Sequence, residues 1–237
     1  MTVGGHLEEL RRRLLWASAA VGAGLVASFF FCDRLLHFLL RPVLPQIGQT
    51  YFFSPTEAFV VKIKVAFFSG VVLASPVVAW QIWLFVKPAL RPSETRWVGP
   101  AAILTTALFL VGVFFSFWVV VPAALRFLVG MQNEFLKPMI SVNEYLGFLM
   151  GISLAFGISF NLPLFLALLA ALGVVSSQML WKYQRHAVLL IFIAAAILTP
   201  GPDVASQLLL AGPLMLLYEL GLVLAKCIEG FKKTSHV

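Results

Sequence analysis

Charge is what this chain has least of. Asp, Glu, Lys and Arg make up 11% of its 237 residues, 61% are hydrophobic, and the mean hydropathy is +0.97. Soluble domains carry roughly 25% charged residues, so that shortage excludes a water-soluble fold and places the chain in lipid. Cysteine is nearly absent as well. Cys32 closes the first apolar run and Cys227 follows the last; the five crossings between them, an odd number, put the thiols near opposite faces, so no disulfide framework is expected. His6, His37, His186 and His236 fall in separate segments with no i,i+4 pair, and no metal or other cofactor is expected. GxSxG, HExxH and Walker patterns are missing, which argues against an intramembrane enzyme or an ATPase. The net charge of +7 is no nucleic-acid signal, because the basic residues cluster in short connections between apolar runs.

Those runs are what the chain does have. Six spans are expected over residues 14–31, 59–86, 97–121, 142–172, 187–198 and 204–225, forming one all-α transmembrane domain over 1–237. The first run has 18 residues, longer than a signal-peptide core, and reads as a retained helix. Residues 33–41 mix Arg34, His37 and Arg41 with leucines at helical spacing, the pattern of a short interfacial helix. Ser54-Pro55-Thr56-Glu57 looks like a helix start, with either hydroxyl available as the cap. Pro76 should kink span two, Pro122 should end span three, and Asn161-Leu162-Pro163 interrupts span four. Span five is short: Ala187–Leu198 gives about 18 Å of helix against a hydrocarbon core of about 30 Å. Local thinning, or burial against longer spans, is the expected remedy.

Eleven of the seventeen Lys and Arg fall on one side if both ends of the chain share a compartment. They are Arg11, Arg12, Arg13, Lys87, Arg91, Arg96, Lys182, Arg185, Lys226, Lys232 and Lys233. The excess of Lys and Arg in cytoplasmic connections therefore puts both termini in the cytoplasm.

Carboxylates on that basic side stand out. Glu8 and Glu9 precede the arginine triplet, and Glu94 sits in the proline-stiffened loop Lys87–Arg96. A carboxylate matches the planar fork of a guanidinium, which suits recognition of a cationic peptide. Local pairing is the other reading: Glu9 with Arg12 or Arg13 one turn on, and Glu94 with Arg91 or Arg96. Within the spans, Gln81, Asn161, Gln207 and Glu219 are polar. Glu219 needs an interfacial place or a partner, with Lys226 as a candidate. Asn161 either satisfies backbone groups freed by Pro163 or faces a ligand or partner.

Several motifs, in order and in register, resemble a known family. These are His6-Leu7-Glu8-Glu9-Leu10-Arg11-Arg12-Arg13-Leu14, then Ser75-Pro76, then Gln81 through Leu90 with Glu94. They continue with Phe156-Gly157, Phe160-Asn161-Leu162-Pro163, Leu198-Thr199-Pro200, Pro202-Asp203-Val204 and Ser206-Gln207. Together they resemble the TatC family, receptor subunits of the twin-arginine protein translocase. The resemblance implies six helices curved into a concave wall in the bacterial inner membrane. It also implies a surface that binds twin-arginine signal peptides of folded cargo at the cytoplasmic face. On it, Glu9 and Glu94 would receive the arginine pair, supported by Arg11, Phe85 and Leu90. Thr199, Gln207 and Asp203 would contact single-span partners of the TatA and TatB type, with Asn161 as a further candidate contact. Further copies of the chain and the bilayer complete the implied partners, and proton-motive force the energy source. Asn161 departs from the family's usual Glu or Gln, so a role needing a mid-membrane carboxylate is not expected; Gly201 is an extra residue in its turn. A small-solute or ion transporter is the alternative, though span lengths are asymmetric and mid-span ionisable residues few.

Overall fold

In hydrocarbon every backbone N–H and C=O needs an internal partner, and the apolar runs meet this demand as helices. The computed structural model describes residues 3–42, 44, 51–90, 92, 95–130, 139–198 and 204–234. Among them the α-helices are α1 (Val3–Phe29), α2 (Cys32–Leu40), α3 (Glu57–Val86), α4 (Val98–Phe115) and α5 (Val121–Val129). They continue with α6 (Val142–Ser159), α7 (Leu162–Leu172), α8 (Ser177–Lys182), α9 (Gln184–Leu198) and α10 (Val204–Thr234). The only β-type pairing among the described residues is an isolated parallel bridge between Tyr51 and Ser141. The fold is all-α.

Four continuous stretches are long and apolar enough to cross a membrane: Glu57–Ala89, Thr95–Val129, Val142–Leu172 and Gln207–Gly230. Helices α1 and α2 form a further apolar pair bent by 87°, and α9 is a shorter apolar helix of 15 residues. At 1.5 Å per residue α9 is about 22 Å long, short of a core of about 30 Å. The chain is a multi-pass membrane protein.

Two compact units divide the chain, Met1–Leu110 with Gln132–Met150, and Val111–Met131 with Gly151–Val237. In the first, α1 packs along α3. Their backbones meet at two glycines: a Cβ on Gly24 would lie 2.6 Å from Gly70 O, and one on Gly70 would lie 2.5 Å from Leu25 N. Small residues permit such an approach, and larger ones would hold the helices apart. Helix α2 buries Cys32 and Leu39 and is tied to α3 by Lys62 Nζ to Asp33 Oδ1 at 2.9 Å. Pro76 lies inside α3, and the helix continues on both sides of it.

In the second unit the close approach is Gly112 to Phe156, where an added Cβ would lie 2.5 Å from the Phe156 carbonyl oxygen. Ser116 and Ser153, both fully buried, share a hydrogen bond of 3.0 Å. Helix α10 packs on α7 across Gly221, whose position leaves 2.7 Å between a notional Cβ and Leu166. Helix α7 ends at Gly173 with φ 75°, and Val174 N–H reaches back to Leu169 O at 3.0 Å. Only glycine takes that left-handed turn without a Cβ penalty.

Two expectations about helix ends need correcting. Pro122 does not end its span. A π-helical turn, Ser116–Val120, lets Val121 N–H reach Ser116 O, and the chain carries on as α5 with Pro122 in its first turn. There a missing N–H costs nothing. Neither hydroxyl caps α3: Ser54 and Thr56 bond each other at 2.9 Å, while the Glu57 carboxylate accepts from Phe53 N–H at 2.7 Å. With the two hydroxyls committed to each other, neither takes a first-turn N–H, and Glu57 N–H bonds Ser54 O instead at 3.0 Å.

Candidate functional site at the start of α1

Helix α1 begins at Val3, eleven residues before its apolar run, so the charged segment is itself helical. Residues three and four apart share a face. Glu9 Oε1 accordingly accepts from Arg13 Nη2 at 3.1 Å and lies 3.9 Å from Arg12 Nη2. Its side chain is 16% exposed and that of Arg13 20%. Arg13 also crosses to α3, where Nη1 donates to Gln81 Oε1 at 3.2 Å; its Nε is buried with no partner among the described residues. One turn further along α3, Phe85 stacks on His6 with ring centroids 4.5 Å apart.

Beside this network lies an open groove of about 400 Å³, lined among the described residues by Gly5, Glu8, Glu9, Arg11, Arg12 and Leu15. Arg11 is exposed, Phe85 half-buried, and Leu90 half-buried where Leu90 N–H closes a 3₁₀ turn on Lys87 O at 3.1 Å. Glu94 and Arg91 lie outside the described residues. Two acids and three arginines between positions 8 and 13 leave the segment with net positive charge. The local pairing that the spacing allowed is therefore present at Glu9. What the spacing did not signal is the link through Arg13 to Gln81, 68 positions away.

Of the second group, Thr199 and Asp203 lie outside the described residues. Gln207 is half-buried on α10, and its Nε2 donates to Phe192 O on α9 at 2.9 Å. Asn161 stands between α6 and α7. Its N–H bonds Ile158 O, leaving Gly157 O without the usual helical donor, and its own Nδ2 fills that place at 3.0 Å. Its Oδ1 is buried with no partner among the described residues. The backbone-satisfying reading of Asn161 thus holds for one end of the amide.

Further polar anchors tie the elements together. Glu57 Oε1 accepts from Ser141 Oγ and from Asn143 N–H at 3.3 Å, tying the start of α3 to the start of α6. Glu229 on α10 accepts from Ser177 N–H at 2.7 Å, at the first turn of α8. Glu219 accepts from Gln184 Nε2 at 2.6 Å, a partner other than the expected Lys226. Both cysteines are free thiols. No group of three or more His, Cys, Asp or Glu among the described residues could hold a metal ion.

Comparison with known proteins agrees with the motifs. A family model described as Sec-independent protein translocase protein (TatC) matches residues 5–213. The Sec-independent protein translocase protein TatC of Carboxydothermus hydrogenoformans is 39% identical over 229 residues, 97% of this chain and 94% of that one. The protein of the same name from Aquifex aeolicus is 35% identical, covering 96% of each. A crystal structure described as the twin arginine translocase receptor TatC superimposes with a TM-score of 0.87 at 34% identity, over 94% of this chain and 99% of the other. These relatives lend no support to a small-solute transporter. With both the sequence and the fold matched almost end to end, the chain belongs to the TatC family of Sec-independent protein translocase proteins.

Proposed function

We propose that this chain is the receptor subunit of a twin-arginine translocase, a protein-transport component and not an enzyme. It forms one transmembrane domain over 1–237 with six spans in the bacterial inner membrane and both termini in the cytoplasm. The observation that carries this reading is Glu9, a part-buried carboxylate on the wall of an open groove in a chain of this family. Twin-arginine signal peptides of folded proteins dock there, one guanidinium on Glu9 and the other on Glu94. Arg11, Phe85 and Leu90 shape the surrounding surface.

Charge-assisted hydrogen bonds contribute about 1.5–3 kcal/mol each, so two supply roughly 3–6 kcal/mol before ordering costs. That alone is weak binding, and the apolar part of the signal peptide must add contact area. Modest affinity suits a receptor that releases its cargo. Thr199, Asp203, Gln207 and Asn161 serve single-span partners of the TatA and TatB type, the complex contains further copies of this chain, and proton-motive force drives export.

The test is photocrosslinking of a twin-arginine signal peptide to the chain in membranes. Glu94→Ala and Glu9→Ala each reduce the yield severalfold; unchanged yield from both would sink the receptor reading.

A further inference from the structure

Glu9 does not stand alone in its groove. Its Oε1 is held by Arg13 Nη2, while Arg13 Nη1 is held by Gln81 Oε1 on the neighbouring helix. One guanidinium therefore bridges α1 and α3 through two different nitrogens. A planar fork fixes the angle between its hydrogen bonds, which a single ammonium cannot do. Gln81 is neutral, so its contribution to Arg13 is direction and not charge.

We propose that Arg13 and Gln81 are positioning residues that make the Glu9 site select arginine over lysine. The proposal rests on the receptor reading of Glu9 and extends it to the origin of specificity. Net charge cannot supply that selectivity, because arginine and lysine both carry a single positive charge. Geometry can. With Oε1 committed to Arg13, rotation of the carboxylate is restrained, and Oε2, which has no bond among the described residues, is left for an incoming donor. A flat guanidinium can then meet a carboxylate of restrained orientation edge to edge. An ammonium gains nothing from that restraint.

The experiment uses the full chain in lipid nanodiscs and two synthetic signal peptides, identical except for a twin-arginine or a twin-lysine pair. Affinity for each is measured by fluorescence anisotropy, with thermal stability recorded in parallel. Gln81→Ala and Arg13→Lys lower twin-arginine affinity about tenfold, the size expected when a charge-assisted bond is misaligned. Twin-lysine affinity stays unchanged in both, so the arginine-to-lysine preference collapses. Gln81→Glu keeps an acceptor for Arg13 and restores the preference, and it remains informative if Gln81→Ala fails to fold. Equal losses for both peptides, or no change of preference in Arg13→Lys and Gln81→Ala while Glu9→Gln loses binding, would overturn the positioning role. Full twin-arginine affinity in Glu9→Gln would instead overturn the receptor reading beneath it.

Discussion

Ser75 Oγ donates to the carbonyl oxygen of Val72 at 2.7 Å, and Val72 is the residue whose helical partner Pro76 removes. A proline in a helix leaves the carbonyl four residues back without its N–H. Ser75 is itself buried, so the repair takes place away from water. Ser75→Ala should lower stability by about 1–2 kcal/mol, the cost of an unsatisfied buried acceptor. The double variant Ser75→Ala with Pro76→Ala should regain most of that loss, since an alanine in place of the proline supplies the missing N–H. Unfolding measurements on the double-mutant cycle read the coupling.

Contact between α1 and α3 rests on glycine at two positions. Gly24→Ala places a methyl 2.6 Å from Gly70 O, where backbone must move, whereas Gly22→Ala meets nothing within 4 Å. Overpacking typically costs about 1–3 kcal/mol. Thermal stability in detergent should fall clearly for Gly24→Ala and stay near the parent for Gly22→Ala.

Glu57 serves three donors from two segments: Phe53 N–H, Ser141 Oγ and Asn143 N–H. Glu57→Gln keeps a carbonyl oxygen for some of them, and Glu57→Ala keeps none. Melting temperature should follow the order parent, Gln, Ala. Equal values for Gln and Ala would show that the fully ionised carboxylate, and not acceptor geometry, holds the two segments.

Asn161 repairs the chain where α6 gives way to α7. Asn161→Leu leaves Gly157 O without its side-chain donor. Stability should drop by about 1 kcal/mol, the usual net worth of one hydrogen bond. Chemical unfolding followed by tryptophan fluorescence would measure it.

Much of the helix layout was legible because apolar runs of this length have few other ways to satisfy their backbone. The short separate helix after the first span and the break at Asn161 were legible too, from amphipathic spacing and a proline interruption. Pro122 misled because a π-helical turn absorbs the proline, and nothing in the local residues announces that turn. Ser54 and Thr56 misled because their hydroxyls bond each other and not the helix. At the site, Glu9 and its arginine neighbours were readable from helical spacing. Gln81 stands out as polar within an apolar span, but nothing in the sequence points to Arg13 as its partner. Pairs such as Arg13 with Gln81, Ser141 with Glu57 and Ser177 with Glu229 are 52 to 84 positions apart, and a single sequence carries no spacing rule at that range.

The glycine contact also has a mechanical side. Gly24 and Gly70 bring two backbones together with no side chain between them, which makes their crossing the point of nearest approach from which the rest of α1 extends. Glu9 stands fifteen residues from it, about 22 Å along the helix axis. Over such a lever arm a tilt of about 5° displaces the carboxylate by about 2 Å, enough to separate a hydrogen-bonded pair. The aim of the charged end of α1 is thus shared between a glycine contact far from it and the Arg13–Gln81 bond at the site itself.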